Sequence, residues 1–167
     1  MLKNKNDTYK SKAEIKQNIV LDKALKMIED GENGQPISCI IIKDNVIIHT
    51  AYGRGVSPLL NVFTGDSDKM KDAFVVDKII GKAAAMILVS GGAKRVYGTI
   101  MSVSGREYLQ KHGIIAEYTE CVDMISNRDG TDMCPIEKSV IDIDDSFEGL
   151  KIIGVTIDNL KKAANSI

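Results

Sequence analysis

The amino-acid sequence predicts one α/β domain with a mixed β-sheet, in which a β-hairpin lies beside parallel strands. Two β-branched runs, residues 39–42 and 46–52, are separated by Asp44 and Asn45, two residue types that tolerate the positive φ angles of a tight hairpin turn. A strand, a helix and a second strand then follow one another between residues 95 and 119, and such a unit normally makes a right-handed crossover between parallel strands. The length of 167 residues and the 44% hydrophobic content are those of a single compact domain.

The first ten residues of the chain are mostly polar and charged, and we expect them to form a flexible arm (residues 1–10) ahead of a single domain over residues 11–167. Ser11 and Glu14 have the spacing of a capping box. An apolar stripe at helical spacing follows at positions 20, 21, 24, 25, 27 and 28, and Gly31 offers a left-handed stop. These signals predict the first helix.

The segment GRGVSPL, residues 53–59, is interpreted as a loop that leads into a short helix ending near Gly65. A stronger helix is predicted after it, because apolar residues share one helical face, Asp77 could cap its start, and Gly91 with Gly92 ends it. The residues on this apolar face are Val76, Ile79, Ile80, Ala83 and Ile87.

The second half of the chain is predicted to continue with a strand, a helix, a strand and then helices. Residues 95–101 and 114–119 are interpreted as strands, and between them Ser104 and Glu107 repeat the capping-box spacing before a helix that stops at Gly113. The last amphipathic run, residues 147–160, is interpreted as a helix. The Val, Ile and Thr content of residues 150–157 leaves a strand there as the alternative.

Charge and composition narrow the classes of function. The 22 basic and 23 acidic residues give a net charge of −1, so no global field favours nucleic acid or an anionic membrane surface. The longest apolar runs are far shorter than the ~20 residues that span a bilayer. Three widely spaced cysteines, Cys39, Cys121 and Cys134, and an N-terminus without an apolar signal segment predict a reduced, cytoplasmic protein.

The stretch NRDGTDMCPIEK, residues 127–138, is the strongest candidate for a site. With Pro135 at the first helical position, Cys134 becomes the cap residue, and Glu137 is placed to reach back to a free backbone N–H. A thiol in this position meets the positive end of the helix dipole, which favours the thiolate. Cys134 is therefore a candidate nucleophile, and the alternative is a small buried residue of the core.

Nearby polar residues are candidate partners for an anion or for catalysis. Asn127, Arg128 and Asp129 lie in a loop ahead of the cysteine, and the planar guanidinium of Arg128 suits a phosphate or a carboxylate. Lys78 and Lys82 are four residues apart on the predicted second helix, where an anion between them would relieve their repulsion. The alternatives are turn chemistry for the loop and ordinary solvated charges for the lysines.

The sequence gives little support to a metal site. The available soft ligands are Cys39, Cys121, Cys134, His49 and His112, and no pair of them has the CxxC or HxxxH spacing typical of zinc. We therefore expect no metal and no cofactor.

Several motifs in order resemble those of an uncharacterised family, a domain of unknown function with a cytidine-deaminase-like fold. The motifs are VVDKIIGKAAAMILVSGGAKRVYGTIMS, LQKHGI and NRDGTDMCPIEK, which together with the hairpin and RGVSPLL cover residues 38–145. The resemblance implies a three-layer α/β/α sandwich that begins with a hairpin. It implies no chemistry, because the function of that family is not established.

The comparison with zinc deaminases implies that their chemistry is missing. Those enzymes place His-x-Glu at the start of the second helix and Pro-Cys-x-x-Cys at the start of the third. Residues 77–82 and 101–105, where we expect these motifs, contain neither. Two helix starts near Asp77 and Ser104 would still direct their positive ends into a shared cleft. We expect the loop of residues 127–134 to fold over this cleft and to bring together Asp77, Lys78, Arg128, Asp129 and Cys134.

Three hypotheses of function follow. The first is the binding of a small anionic or nucleotide-like metabolite by Lys78, Lys82 and Arg128. The second is a thiol-dependent enzyme with Cys134 as nucleophile and Asp77 or Asp129 as orienting group. The third is a protein interaction module that uses the N-terminal arm and the first helix, and the sequence leaves a homo-oligomer open. Further ligand-binding candidates in the first hypothesis are Asn127, Ser102 and Ser104.

Overall fold

The computed structural model describes residues 12–167 and contains one five-stranded sheet, in the order β2-β1-β3-β4-β5. The predicted arm and the predicted cap at Ser11 lie outside the described residues. The strands are β1 Ile37–Lys43, β2 Val46–Tyr52, β3 Phe74–Ile80, β4 Arg95–Ser102 and β5 Ile115–Val122. The helices are α1 Lys12–Asp30, α2 Ser57–Asp66, α3 Lys82–Ser90, α4 Val103–Lys111, α5 Pro135–Val140 and α6 Ser146–Ala164, with one 3₁₀ turn at Ser67–Lys69.

Helices cover both faces of the sheet, which confirms the predicted three-layer sandwich. On one face α1 packs through Val20, Ala24 and Ile28 against residues of β1 and β3. The other face carries the larger hydrophobic core, to which α2, α3, α4, α5 and α6 all contribute. In this layer α3 is covered by the neighbouring helices, and residues 83–88 are all buried. Burial on every side explains why the sequence of α3 is apolar all round.

The hairpin prediction is confirmed. Strands β1 and β2 pair antiparallel, and the φ angles of Asp44 and Asn45 are 50° and 61°, both positive as a two-residue type I′ turn requires. On its other side β1 pairs antiparallel with β3. Residues 37–42 are buried on both faces of the sheet, so the strand is an almost continuous apolar run rather than an alternating one.

The prediction that the second helix begins near Asp77 is wrong. Residues 74–80 form strand β3, and the helix α3 begins only at Lys82, after Gly81. Asp77 is therefore a strand residue that caps no helix. For the same reason Lys78 and Lys82 do not lie one turn apart on a helix.

This error has a physical cause in the spacing of the apolar residues. The pairs Val75-Val76 and Ile79-Ile80 fit the helical period, but they also fit a strand that is buried on both faces. Strand β3 lies between β1 and β4, so both of its edges are hydrogen-bonded. Pairing on both sides satisfies the backbone groups of the segment without a helix.

The strands β3, β4 and β5 run parallel and are joined by α3 and α4, as the crossover prediction requires. Because these strands also follow one another in space, right-handed crossovers place both helices on the same face. Strand β2 runs in the same direction as β3, since both are antiparallel to β1. The carboxyl ends of β2, β3, β4 and β5 therefore lie at one edge of the sheet, which we call the carboxyl edge.

The C-terminal segment is helical, so the helix interpretation of residues 147–160 is confirmed and the strand alternative for residues 150–157 is wrong. Asp145 caps α6 by accepting the backbone N–H of Glu148 at 2.8 Å. Ile153 and Ile157 are buried against the core, and this packing overrides the weak helix propensity of the Val, Ile and Thr residues. No helix within residues 12–167 is both long enough and apolar enough to cross a membrane.

Substitution of Gly105, with Gly154 as a control, tests the packing at the carboxyl edge. A Cβ added at Gly105 in α4 would lie 2.9 Å from the carbonyl oxygen of Gly81, whereas one added at Gly154 in α6 would meet nothing within 4 Å. We expect Gly105→Ala to lower the free energy of unfolding by about 1–3 kcal/mol, because backbone is overpacked against backbone. The matched control Gly154→Ala should raise it by about 0.5–1 kcal/mol through helix propensity. Urea denaturation measures both, and equal effects would contradict the close approach at Gly105.

Candidate functional site

Four helices, α2 to α5, begin at the carboxyl edge of the sheet, and the last three of them surround one buried side chain. Helix α3 starts after Gly81, α4 after Ser102 and α5 after Cys134. The loop of residues 123–134, which we call the β5–α5 loop, connects the end of β5 to α5. Ligands of α/β sheets commonly bind beyond the carboxyl ends of the strands, so this edge is the candidate functional site.

The carboxylate of Glu137 in α5 lies among these helix starts. The hydroxyls of Ser102 and Ser104 both donate hydrogen bonds to its Oε1 atom, each at 2.9 Å. Ser102 Oγ also accepts the backbone N–H of Gly105 at 3.1 Å and thereby caps α4. The side chain of Glu137 is 2% exposed. A residue of the chain therefore places negative charge where the helix dipoles favour it, at the position predicted for an external anion.

Gly81 provides the space for this carboxylate. A Cβ added at Gly81 would overlap Oε2 of Glu137 and would lie 2.9 Å from Cγ1 of Ile125. The carbonyl oxygen of Ile125 accepts the backbone N–H of Cys134 at 2.7 Å. The base of the β5–α5 loop therefore packs against the start of α3.

Two predicted capping roles are wrong. Helix α4 is capped by Ser102 and not by Ser104, whose hydroxyl contacts Glu137 instead. Glu137 was expected to reach back to the start of its own helix, but its Oε1 accepts the two serine hydroxyls of the α4 start. The backbone N–H of Cys134, which the local bond would use, donates to the carbonyl oxygen of Ile125 at 2.7 Å instead. Cys134 does occupy the N-cap position of α5, without a side-chain capping hydrogen bond.

Asp77 is buried in β3, paired with Cys39 of β1 and Gly98 of β4. Its Oδ1 atom accepts the backbone N–H of Ile79 at 3.1 Å. Burial raises the pKa of Asp77 to about 7, against the smaller opposing effect of its backbone hydrogen bonds. Burial, followed by the charge of Asp77, also raises the pKa of the Cys39 thiol well above its ordinary value. The neutral forms of both groups are therefore favoured inside the sheet.

The polar residues of the β5–α5 loop have different roles. Asn127 holds the loop together, because its Oδ1 accepts the backbone N–H of Thr131 at 2.9 Å. Arg128 and Asp129 are exposed at the loop tip. Within residues 12–167, no hydrogen bond or ion pair connects Asp77, Asp129 and Cys134 to one another.

Lys78 and Lys82, which were predicted to bind an anion together, lie in different surroundings. Lys78 is exposed on β3. Lys82 donates from its Nζ to the carbonyl oxygen of Ile141 at 2.6 Å, and burial lowers the pKa of Lys82 despite the nearby carboxylates of Asp142 and Asp144. Lys82 therefore ties the start of α3 to the connection between α5 and α6.

Arg54 is a candidate functional residue that sequence reasoning missed. It lies in the loop between β2 and α2 at the carboxyl edge, and it is exposed. Gly53 and Gly55 flank it with φ angles of 123° and 68°. The signal in the sequence was the GRG triplet. Two glycines around an arginine indicate a loop with positive φ angles, which other residues rarely adopt.

The helix starts contain no set of metal ligands. The second helix begins with residues 57–60 and the third with residues 82–85, so the positions assumed from the sequence, residues 77–82 and 101–105, each lie one helix too late. The cause is that the short helix ending near Gly65 was not counted, so α3 was taken as the second helix. The true starts, SPLL and KAAA, have no His, Cys or Glu. Across the described part of the chain, no group of three or more His, Cys, Asp or Glu residues could hold a metal ion.

The fold and the site together define a three-layer α/β sandwich whose helix starts surround a buried glutamate instead of metal ligands. The family model of TM1506, a domain of unknown function (DUF1893), matches residues 23–156. The chain belongs to this family, as its motifs implied.

The chain is also similar to solved structures, one of which is of the same family. The crystal structure of the DUF1893 family protein TM1506 from Thermotoga maritima is 26% identical, with 81% of this chain and 88% of that chain covered and a TM-score of 0.71. A dCMP deaminase from the cyanophage S-TIM5 is 15% identical over 65% of this chain and 99% of its own, with a TM-score of 0.46. A deaminase/reductase from Thermotoga maritima that acts on diaminohydroxyphosphoribosylaminopyrimidine is 12% identical over 77% of this chain and 42% of its own, with a TM-score of 0.48. No curated protein matches the chain.

The buried carboxyl group of Asp77 predicts a pH-dependent stability. Its pKa is raised from 3.8 to about 7 in the folded chain, so between these values the native state holds a proton that the unfolded state releases. The free energy of unfolding should therefore fall as pH rises through this window, by about 1.4 kcal/mol per pH unit, and level off above pH ~7. Asp77→Asn should lose this contribution and keep the hydrogen bond from Ile79. Urea denaturation of the wild-type protein and Asp77→Asn at pH 5 and pH 8 tests this prediction. If the free energy of unfolding falls equally in both proteins between the two pH values, the pH dependence does not come from Asp77.

The interactions of Glu137 predict its contribution to stability. Glu137→Ala leaves the buried hydroxyl of Ser102 without its acceptor and creates a cavity, so we expect the free energy of unfolding to fall by about 2–4 kcal/mol. The control Glu29→Ala removes an exposed glutamate from α1 and should change it by less than about 0.5 kcal/mol. Chemical denaturation at neutral pH measures both. A loss for Glu137→Ala as small as that of the control would show that the carboxylate does not hold α5 in place.

Proposed function

We propose that the protein binds a small anionic ligand, carrying a phosphate or a carboxylate group, at the carboxyl edge of its sheet. The observation that carries the proposal concerns the four arginines of the chain. Arg95 pairs with Glu117, and Arg106 contacts Tyr118 and Cys121. Arg54 and Arg128 have no hydrogen-bonding or ionic partner among residues 12–167, and both lie in loops at the carboxyl edge.

The loop that carries Arg54 is fixed at its base. The backbone N–H of Gly53 donates to the carbonyl oxygen of Pro36 at 2.9 Å, and Ser38 Oγ approaches the carbonyl oxygen of Gly55 at 3.4 Å. These bonds hold both flanks of Arg54 against the start of β1, while its own side chain is exposed. A fixed backbone lowers the entropic cost of ordering an arginine around a ligand.

The start of α2 lies directly after this loop. Its N-cap residue, Val56, has no side chain able to accept a hydrogen bond, whereas α4 and α6 are capped by Ser102 and Asp145. Pro58 in the first turn has no N–H, so the backbone donors of this helix start are those of Ser57 and Leu59, and these donors and the positive dipole end favour an anion. Arg54 adds a planar fork that matches a phosphate or a carboxylate.

Arg128 and Lys78 are the second group of cations in the proposal. They lie at the carboxyl ends of other strands, on the β5–α5 loop and on β3, and both are exposed. Strands β2 and β3 are two strand spacings apart in the sheet, about 10 Å, so a nucleotide-like ligand with its phosphate at Arg54 can place another polar group near Lys78, whereas Arg128 follows the opposite outer strand. The starts of α3 and α4 do not contribute to this ligand site, because Glu137 is bound there.

The test is a thermal-shift and calorimetric screen with inorganic phosphate, citrate and nucleoside monophosphates. We expect stabilisation of the wild-type protein and a loss of affinity of roughly 10- to 100-fold in Arg54→Gln, the effect of removing a charged hydrogen bond. Arg128→Gln and Lys78→Gln should weaken binding less, and Lys94→Gln, which removes an exposed lysine at the opposite edge of the sheet, should leave it unchanged. Stabilisation that is equal in all variants would place the ligand elsewhere, and no stabilisation by any probe would refute the proposal.

A thiol-dependent enzyme is the second candidate, favoured by the N-cap position of Cys134 and its partial exposure. It requires a base, which the sequence did not identify, because Asp77 and Asp129 were candidates only for the orienting group. The candidate of an interaction module is favoured by the exposed apolar residues of α1, with Ile15 47% and Ile19 64% exposed. An anion screen without any response, combined with slow labelling of Cys134, would favour the interaction module.

A further inference from the structure

The side of α6 that faces away from the core is a continuous exposed surface. The helix packs on the core through Gly149, Ile153 and Ile157. Residues on the opposite side are spaced three or four apart, so they form one stripe along the helix. The exposed residues of this stripe are Phe147, Lys151, Val155, Asp158 and Lys162. We call this side of the helix, between residues 147 and 162, the α6 outer face.

The α6 outer face carries apolar surface at its start and in its middle. Phe147 is 67% exposed and Val155 is 60% exposed. Beside Val155, a Cβ added at Gly154 would meet nothing within 4 Å, whereas one added at Gly105 or Gly149 would collide with a neighbouring group. A glycine inside a helix lowers its stability, and no close approach within residues 12–167 requires Gly154. It leaves a hollow next to an exposed valine, which an apolar side chain of another molecule can fill.

The charges of the α6 outer face have opposite signs on the two sides of its midpoint, which lies between residues 154 and 155. Towards the N-terminus the first charged residue is Lys151 and the next is Glu148. Towards the C-terminus the first is Asp158 and the next is Lys161. None of these four side chains forms an ion pair within the described residues. Each charge therefore has its opposite at the same distance beyond the midpoint.

We propose that the protein forms a homodimer in which the α6 outer faces of two copies pack antiparallel, about a two-fold axis at this midpoint. The axis places Val155 of each copy over the hollow at the partner's Gly154. Towards the ends of the interface, Phe147 lies against the aliphatic stem of the partner's Lys162, with the ammonium group near the ring. Every contact occurs twice, as two-fold symmetry requires. The apolar surface that each copy exposes is thereby buried.

The pattern of charges selects a second copy of the chain in the antiparallel direction. Under the two-fold axis Lys151 faces the partner's Asp158, and Glu148 faces the partner's Lys161. A parallel pair in register would place each charge opposite its own copy, and like charges across an interface disfavour such an arrangement. An unrelated partner would not require this symmetry. The α6 outer face therefore complements itself.

The first test is the oligomeric state of the purified full-length protein. One pair of helices makes an interface smaller than the ~1,600 Å² of stable complexes, so we expect a dimer that dissociates at micromolar concentrations. Analytical ultracentrifugation between about 1 and about 500 µM covers this range. Lys151→Glu and Asp158→Lys should each weaken the dimer roughly 10- to 100-fold, because two attractive contacts become repulsive. A monomer at all concentrations, or a dimer that neither substitution weakens, would overturn the proposal.

Two substitutions on α1 are the matched controls. Lys23→Glu and Asp22→Lys make the same changes of charge at exposed positions of a helix on the other face of the sheet, and they should leave the dimer unchanged. Circular dichroism of the dilute protein confirms that every variant is folded. Equal weakening by the control and the α6 variants would refute the proposal, because net charge would then govern association. The result is independent of the anion screen, since the proposed anion site contains no residue of the α6 outer face.

The last test combines the two α6 substitutions. In the double variant Lys151→Glu/Asp158→Lys the two signs are exchanged, so the antiparallel dimer should regain most of its affinity. A mixture of the two single variants should also associate, because each copy then supplies the opposite charge at both contacts. Positions 151 and 158 are about 10 Å apart along the helix, too far to pair within one copy, so recovery reports contacts between copies. Absence of recovery in both experiments would rule out the antiparallel pairing.

Discussion

The carboxyl edge of the sheet depends on one buried charge, the carboxylate of Glu137. Taking a carboxylate out of water is costly unless it is hydrogen-bonded, and here two serine hydroxyls donate to it and the dipoles of the neighbouring helices stabilise it. The arrangement requires two glycines, because a side chain at Gly81 would overlap the carboxylate and one at Gly105 would collide with the backbone of Gly81. A single charged side chain thus fixes how α3, α4 and α5 approach one another.

Much of the fold could be predicted because its signals are local. Asp44 and Asn45 specify the hairpin turn through their tolerance of positive φ, and Gly113, with a φ of 74°, ends α4 where expected. Strand β3 could not be predicted with the same ease. Its residues 75–77 are buried on both faces, so the two-residue alternation that identifies a strand is absent there. The order of the strands in the sheet is a property that no local pattern of β3 contains.

The candidate site was predicted only in part, for a related reason. Pro135 correctly marked the start of α5 and placed Cys134 at its N-cap, since both depend on neighbouring residues. The partners of Glu137 are 33 and 35 residues away in sequence, and the capping-box spacing around it favoured a local bond that does not form. The same applies to Cys121 and Arg106, which are 15 residues apart and meet only because α4 packs beside β5.

The distribution of satisfied and unsatisfied donors explains why the proposed anion site lies where it does. The first backbone N–H groups of a helix have no partner within the helix, so side chains, water or a ligand must supply their acceptors. At the starts of α4 and α6 the chain supplies its own acceptors, Ser102 and Asp145, and beside α3 it supplies Glu137. At the start of α2 the cap position is taken by Val56, which has no acceptor, and Arg54 precedes it without a partner in the described chain. In the proposed function an external anion is the acceptor at this corner, because Glu137 already occupies the space beside the starts of α3 and α4.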